Sequence, residues 1–178
     1  MTHAKPIAMP FFCSLLAVAS GALLLAASLL AAPHPQQSAT PEKLSADAVQ
    51  IDRIDPPTEL VVPEDFRIAT YENVIREITK TKKFQHVYRD GDSNAASDKN
   101  LVIIHLVPEA YKAGSQKQRE VTTVKGATSI KMKVQFKSPD GKILMEKDLE
   151  GKVRFYGENL RATYDLAKKV AKVVNESF

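Results

Sequence analysis

Asp90-Gly91-Asp92-Ser93-Asn94 carries the alternating oxygen side chains that open a calcium-binding loop. Oxygens at every second position of a tight turn can converge on a hard cation. The second half of such a loop is missing: Ala95 stands where glycine is wanted, and Leu101 where a bidentate glutamate belongs. Asp, Gly, Ser and Asn are also ordinary turn residues. Asp90, Asp92 and Asn94 are therefore weak metal candidates in what is expected to be a plain polar loop. His86 and His105 are the other candidates for a ligand or a base. They lack the H-x-x-x-H spacing of a helical metal site, and no carboxylate is placed in the sequence to orient either ring. Half-buried strand histidines are the expectation.

Cys13 is the only cysteine and lies in an apolar run near the start of the chain. Residues 33–178 therefore have no disulfide, thiolate zinc site, iron–sulfur cluster or cysteine nucleophile. The sequence holds no glycine-rich phosphate loop and no G-x-S-x-G elbow. Its serines have no assignable base, and no cofactor is expected. The lysines of 125–152 raise the question of an anionic partner. Two of them face carboxylates across the hairpin and no aromatics interleave on their face, so a solvated sheet face is expected rather than a nucleic-acid surface, with weak attraction to an anionic membrane left open.

Phe11 to Ala32 contains no charged residue, and Lys5 precedes it. Charges are costly in a bilayer core, so a charge-free run of this length reads as a membrane-directing segment, with the rest of the chain outside the cytoplasm. Residues 1–32 are either a signal peptide, cut best after Ser28 because Ala26 and Ser28 are both small, or an N-terminal anchor. Residues 33–46 contain three prolines and read as a flexible linker. An extracytoplasmic domain then fills 47–178. Removing Lys5 from the formal charge of +4 leaves +3, so the remainder is only mildly basic.

Within that domain, 49–63 is ambiguous between weakly alternating and extended. Residues 68–83 read as a helix with Ile68, Tyr71, Val74, Ile75 and Ile78 on one face, Asp65 as N-cap and a Glu72–Arg76 pair. Residues 84–89 read as a strand ending in a turn at Asp90-Gly91, and 101–107 as a strand that is apolar on both faces. In 129–137, Ile130, Met132, Val134 and Phe136 alternate with polar residues. Ser138-Pro139-Asp140-Gly141 is a turn that sets Phe136 opposite Ile143, Val134 opposite Met145 and Lys133 opposite Glu146. That register leaves Lys147 unexplained, facing Met132. Gly126 and Gly151 are expected at bulges or bends. A last helix follows Asn159, buried through Leu160, Thr163, Tyr164, Ala167, Val170, Ala171 and Val174. Short connections predict an α+β two-layer sandwich, an antiparallel four-stranded meander with two helices on one face.

The stretch GATSIKMKVQFKSPDGKILMEKDLEGKV, followed by ENLRATYDLAKKVAKVV, resembles a family of uncharacterised bacterial exported proteins grouped under a domain of unknown function, many of them lipoproteins. The likeness covers roughly residues 84–175. It implies a bacterial source and an envelope location, and brings no catalytic residues. The chain departs from the pattern in lacking a lipidation cysteine.

The sequence thus predicts a non-catalytic envelope module that binds an envelope protein or itself, not an enzyme and not a nucleic-acid binder, touching the membrane through residues 1–32 if these are retained. Val102, Ile104 and Leu106 are the expected interaction face, because helices on one side of the sheet leave a two-sided apolar strand bare on the other. Cover by residues 47–63 is the competing expectation. An extracytoplasmic hydrolase or metal-dependent enzyme using His86, His105, Asp90 and Asp92 is the alternative.

Overall fold

In the computed structural model, the residues described are 43–122, 125–155 and 157–178. They belong to one compact unit, Ala39–Phe178, and the described core draws on residues from Ala46 onward. The apolar run 11–32 and most of the linker lie outside the described residues. Among those described, no helix is long and apolar enough to cross a membrane.

The elements follow in the order β1 (Ala48–Ile51), α1 (Glu64–Thr81), β2 (His86–Arg89), a 3-10 turn (Ser93–Ser97), β3 (Leu101–Lys112), α2 (Gln116–Val121), β4 (Thr128–Lys137), β5 (Ile143–Val153) and α3 (Arg161–Ser177). The sheet order is β2-β1-β3-β4-β5. β1 runs parallel to both β2 and β3, while β3, β4 and β5 are antiparallel. The molecule is α+β, but its sheet is five-stranded and mixed rather than a four-stranded meander. The difference is β1. Val49 and Ile51 point into the main core while Ala48 packs on the opposite face, so this short strand is buried on both sides. A four-residue strand buried on both faces gives almost no periodic signal.

α1 begins four residues earlier than its pattern indicates, with Pro63 rather than Asp65 at the N-cap. Its buried side chains are Phe66, Thr70, Val74, Glu77 and Ile78, and Ile68 is left exposed. Thr70 tolerates burial because its hydroxyl donates to the Phe66 carbonyl at 2.7 Å. Glu72 pairs with Arg89 through two bonds of 2.5 and 2.8 Å, rather than with Arg76. A planar fork on a carboxylate outcompetes a single contact along the helix. α1 and α3 lie against each other, and Asn73 Nδ2 donates to Thr163 Oγ1 at 2.9 Å across them.

The β4–β5 hairpin keeps the expected faces but shifts by two residues: Phe136 faces Met145, Met132 faces Leu149 and Val134 faces Lys147. A bulge between Phe136 and Lys137 absorbs the extra length at the turn. Even-numbered shifts preserve sidedness, which is why the alternation alone could not set the register. Gly151 is no bulge. A Cβ there would stand 2.1 Å from the Ala162 carbonyl oxygen, so glycine is what lets α3 approach β5. Gly126 has φ +88° and lies against Ser115 and Gln118.

Candidate functional site

Val102, Ile104 and Leu106 are at most 1% exposed and form part of the main core. They point toward α1 and α3, so they are not an interaction face. The opposite side of β3 carries Leu101, Ile103, His105 and Val107 instead. Residues 47–63 do not fold back over that side, since Ile54 and Val62 belong to the main core. Residues 48–51 enter the sheet as β1, and the 3-10 turn places Ala95 against Ala48 and Leu101, with Tyr88 and Ile103 packed around them. Alternation in β3 is masked because both of its faces are apolar for different reasons.

That turn also accounts for the calcium-like stretch. Asp92 is its N-cap, and Asp92 Oδ1 accepts from both the backbone N–H and the side-chain amide of Asn94 at 3.0 Å. Asn94 therefore presents a donor, not an oxygen ligand, to Asp92. Asp90 lies 3.8 Å from Arg53 Nε. Among the described residues, no three His, Cys, Asp or Glu side chains gather as a metal site.

The two histidines are not brought together. Ala48 is level with both His86 and Leu101, which puts His105 four residues farther along and two strands away. His86 stacks on Tyr88, with ring centroids 5.7 Å apart. His105 does have an orienting carboxylate: Asp52 Oδ2 lies 3.3 Å from its Nδ1, and Gln50 donates to Asp52 Oδ1 at 3.2 Å. Asp52 follows β1 directly, so this pair depends on the strand that the sequence left ambiguous.

The rest of the bare sheet face is laced by charge. Lys131 pairs with Glu109 at 2.7 Å, and Lys133 with Glu146 at 3.0 Å. The Lys131 contact holds Glu109 below the usual carboxylate range. Bonds from Gln135 and then Lys133 do the same for Glu146. These lysines are partnered, in keeping with a solvated face.

The arrangement the sequence concealed is at the other end of α3. Arg119, on α2, is only 3% exposed. Its Nε donates to the Phe155 carbonyl at 3.1 Å and Nη1 to the Gly126 carbonyl at 2.6 Å. Nη2 donates to the Gly157 carbonyl at 2.7 Å and to Asn159 Oδ1 at 2.9 Å. Thr128 Oγ1 also donates to Asn159 Oδ1, at 2.9 Å. Asn159 therefore serves this network, and Leu160 takes the N-cap position of α3. One guanidinium ties together the segment around α2, the start of β4 and the β5–α3 loop. In the sequence Arg119 lies within a mostly polar stretch between Gly114 and Gly126.

Beside this clamp, Lys152, Arg154, Phe155, Arg161, Tyr164, Asp165 and Lys168 are among the residues lining an open groove of about 460 Å3. A second groove, of about 440 Å3, lies at the C-terminal end of α3 between that helix and β5. Leu44, Leu144, Met145 and Val173 supply its apolar lining, with Lys147 and Glu176 among its charged residues. Leu144 is 40% exposed there, and Ile143, the residue before it on β5, is 49% exposed. Lys147 faces this groove from the edge strand of the sheet. A charge on the core-facing side of an edge strand blunts unwanted strand pairing.

These features define a small α+β domain with a mixed sheet and both long helices on one face. Its fold is similar to that of a solved bacterial protein. PelC from Paraburkholderia phytofirmans, a dodecamer, superposes with a TM-score of 0.53 at 12% identity, over 74% of this chain and 91% of that one. A Xanthomonas campestris protein of the DUF330 family gives 0.44 at 10% identity, over 75% and 82%. A candidate lipoprotein of Caulobacter crescentus CB15 gives 0.36 at 9% identity, over 70% and 86%. No family model matches the chain, and no curated protein matches it in sequence.

Proposed function

We propose that this protein is a non-catalytic module of the bacterial envelope that associates with further copies of itself. The observation that carries the reading is the exposed apolar pair Ile143 and Leu144 on edge strand β5, beside the groove lined by Leu44, Met145 and Val173. Exposed apolar side chains grouped at a groove mark contact surfaces more often than isolated ones do. In a heterologous contact a protruding patch of one copy meets a groove on the next. The dodecameric assembly of PelC, which has this fold, supports the choice of a second copy as the occupant. The charge-free segment 11–32 supports an envelope location.

The test is sedimentation velocity on the Ala39–Phe178 unit and on the full chain in mild detergent. An oligomer is expected, and Leu144→Glu is expected to yield folded monomers. A wild-type protein that stays monomeric in both forms as concentration is raised would overturn the proposal. A second reading, an extracytoplasmic hydrolase or metal-dependent enzyme, has the Asp52–His105 pair in its favour. A carboxylate-oriented imidazole is a proton-transfer unit. It lacks a nucleophile assigned beside it.

A further inference from the structure

We propose that the groove at the N-terminal end of α3 docks on the phosphate headgroups of an anionic phospholipid bilayer. Four cationic side chains, Lys152, Arg154, Arg161 and Lys168, line it against one carboxylate, Asp165. That carboxylate is already engaged, accepting from the Lys152 backbone N–H at 2.9 Å and from Lys169 Nζ at 2.8 Å. The Lys152 ammonium is turned to Glu150 at 2.5 Å, so the charge offered outward comes chiefly from exposed Arg154 and Lys168. Lys168 Nζ stands 4.6 Å from the centroid of the Tyr164 ring, and the positive end of the α3 dipole adds to the field.

Phe155 decides between a bilayer and a free anion. It is 57% exposed, next to Arg154, and its carbonyl is held by buried Arg119. A phenyl ring held out beside cations is unfavourable in water and adds nothing to the capture of a small ion. At a bilayer surface the ring enters the acyl boundary while the cations meet phosphates. The groove is open, as an extended surface requires. Arg119 is a positioning residue here: it presents the Arg154–Phe155 segment in one conformation before contact. This inference uses a different end of α3 from the proposed self-association surface, and either can fail without the other.

The experiment is co-sedimentation of the Ala39–Phe178 unit, its folding checked by circular dichroism, with vesicles of phosphatidylglycerol or of phosphatidylcholine. Binding to phosphatidylglycerol alone is expected, weakening as salt is raised. Arg154→Glu with Lys168→Glu should lower the partition about tenfold or more. Phe155→Ala should lower it by a smaller factor, and Lys83→Glu with Lys99→Glu, away from the groove, should leave it within about twofold. Four results would overturn the proposal: no sedimentation, equal binding to both lipids, equal loss from both charge-reversal pairs, or release by millimolar inorganic phosphate at constant ionic strength. The last would mark an ion site instead.

Discussion

Arg119 shows what a single buried charge can hold together. A guanidinium taken from water costs several kcal/mol unless its donors are satisfied. Here all three nitrogens are bonded, to the carbonyls of Gly126, Phe155 and Gly157 and to the Asn159 and Thr128 side chains. Lysine cannot replace it, since one ammonium lacks the planar fork that reaches acceptors on two separate segments. Arg119→Lys is expected to lower stability by about 3 kcal/mol, because carbonyls left unpaired in a buried site carry their full desolvation cost. Urea unfolding checks this through a lower midpoint at unchanged slope. A variant with the wild-type midpoint would show that water replaces the guanidinium at no cost.

At the scale of elements, α3 and the β4–β5 hairpin were the most legible parts of the sequence, and α1 was legible in type but not in face. In α3, five of the expected residues, from Thr163 to Val174, are buried, because small and branched apolar residues recur at helical spacing. In α1, counting only apolar residues favoured Ile68 and missed Thr70, whose hydroxyl is satisfied within its own helix. The contact between β5 and α3 rests on Gly151. Gly151→Ala would set a methyl carbon 2.1 Å from the Ala162 carbonyl oxygen and 2.9 Å from the Leu166 nitrogen. Both are backbone atoms of one helix, so the helix itself must move. A loss of about 1–3 kcal/mol is expected, typical of overpacking. An unchanged melting temperature in Gly151→Ala would mean that the two elements are looser than their spacing indicates.

For the whole molecule, the bare sheet face and its flanks make stability depend on acid. Glu109 is held low by Lys131, Glu146 by Gln135 and Lys133, Glu150 by Lys152, and Glu72 by Arg89. A carboxylate whose folded pKa is depressed contributes stability above its unfolded pKa and loses it as pH falls through the folded value. Stability is therefore expected to hold from neutrality down to about pH 5 and to decline below about pH 4.3, the ordinary glutamate value. These groups are near the surface, so salt should flatten the decline. Lys131→Met should cost stability at neutral pH and little once Glu109 is protonated. Thermal unfolding across pH measures both effects, and a penalty equal at neutral and acid pH would assign the role of Lys131 to packing rather than charge.

The sequence by itself determined the features that depend on neighbours along the chain. These are the faces of β4 and β5, the buried stripe of α3, the turn at Ser138–Gly141, and the exclusion of thiol chemistry from residues 33–178. Each is local: side-chain alternation, helical spacing and turn geometry act within a few residues. Tertiary structure alone decided the rest. It put β1 between β2 and β3, covered Leu101 with the 3-10 turn, turned Val102, Ile104 and Leu106 inward, and brought Asp52 to His105 and Arg119 to Gly157 and Asn159. Backbone hydrogen bonds between strands carry no sequence code, and strand order is set by which arrangement buries both faces of β1 and β3 at once. Arg119 joined its partners for the same reason. Its acceptors are mostly main-chain carbonyls, which the fold, not the side chains, puts within reach.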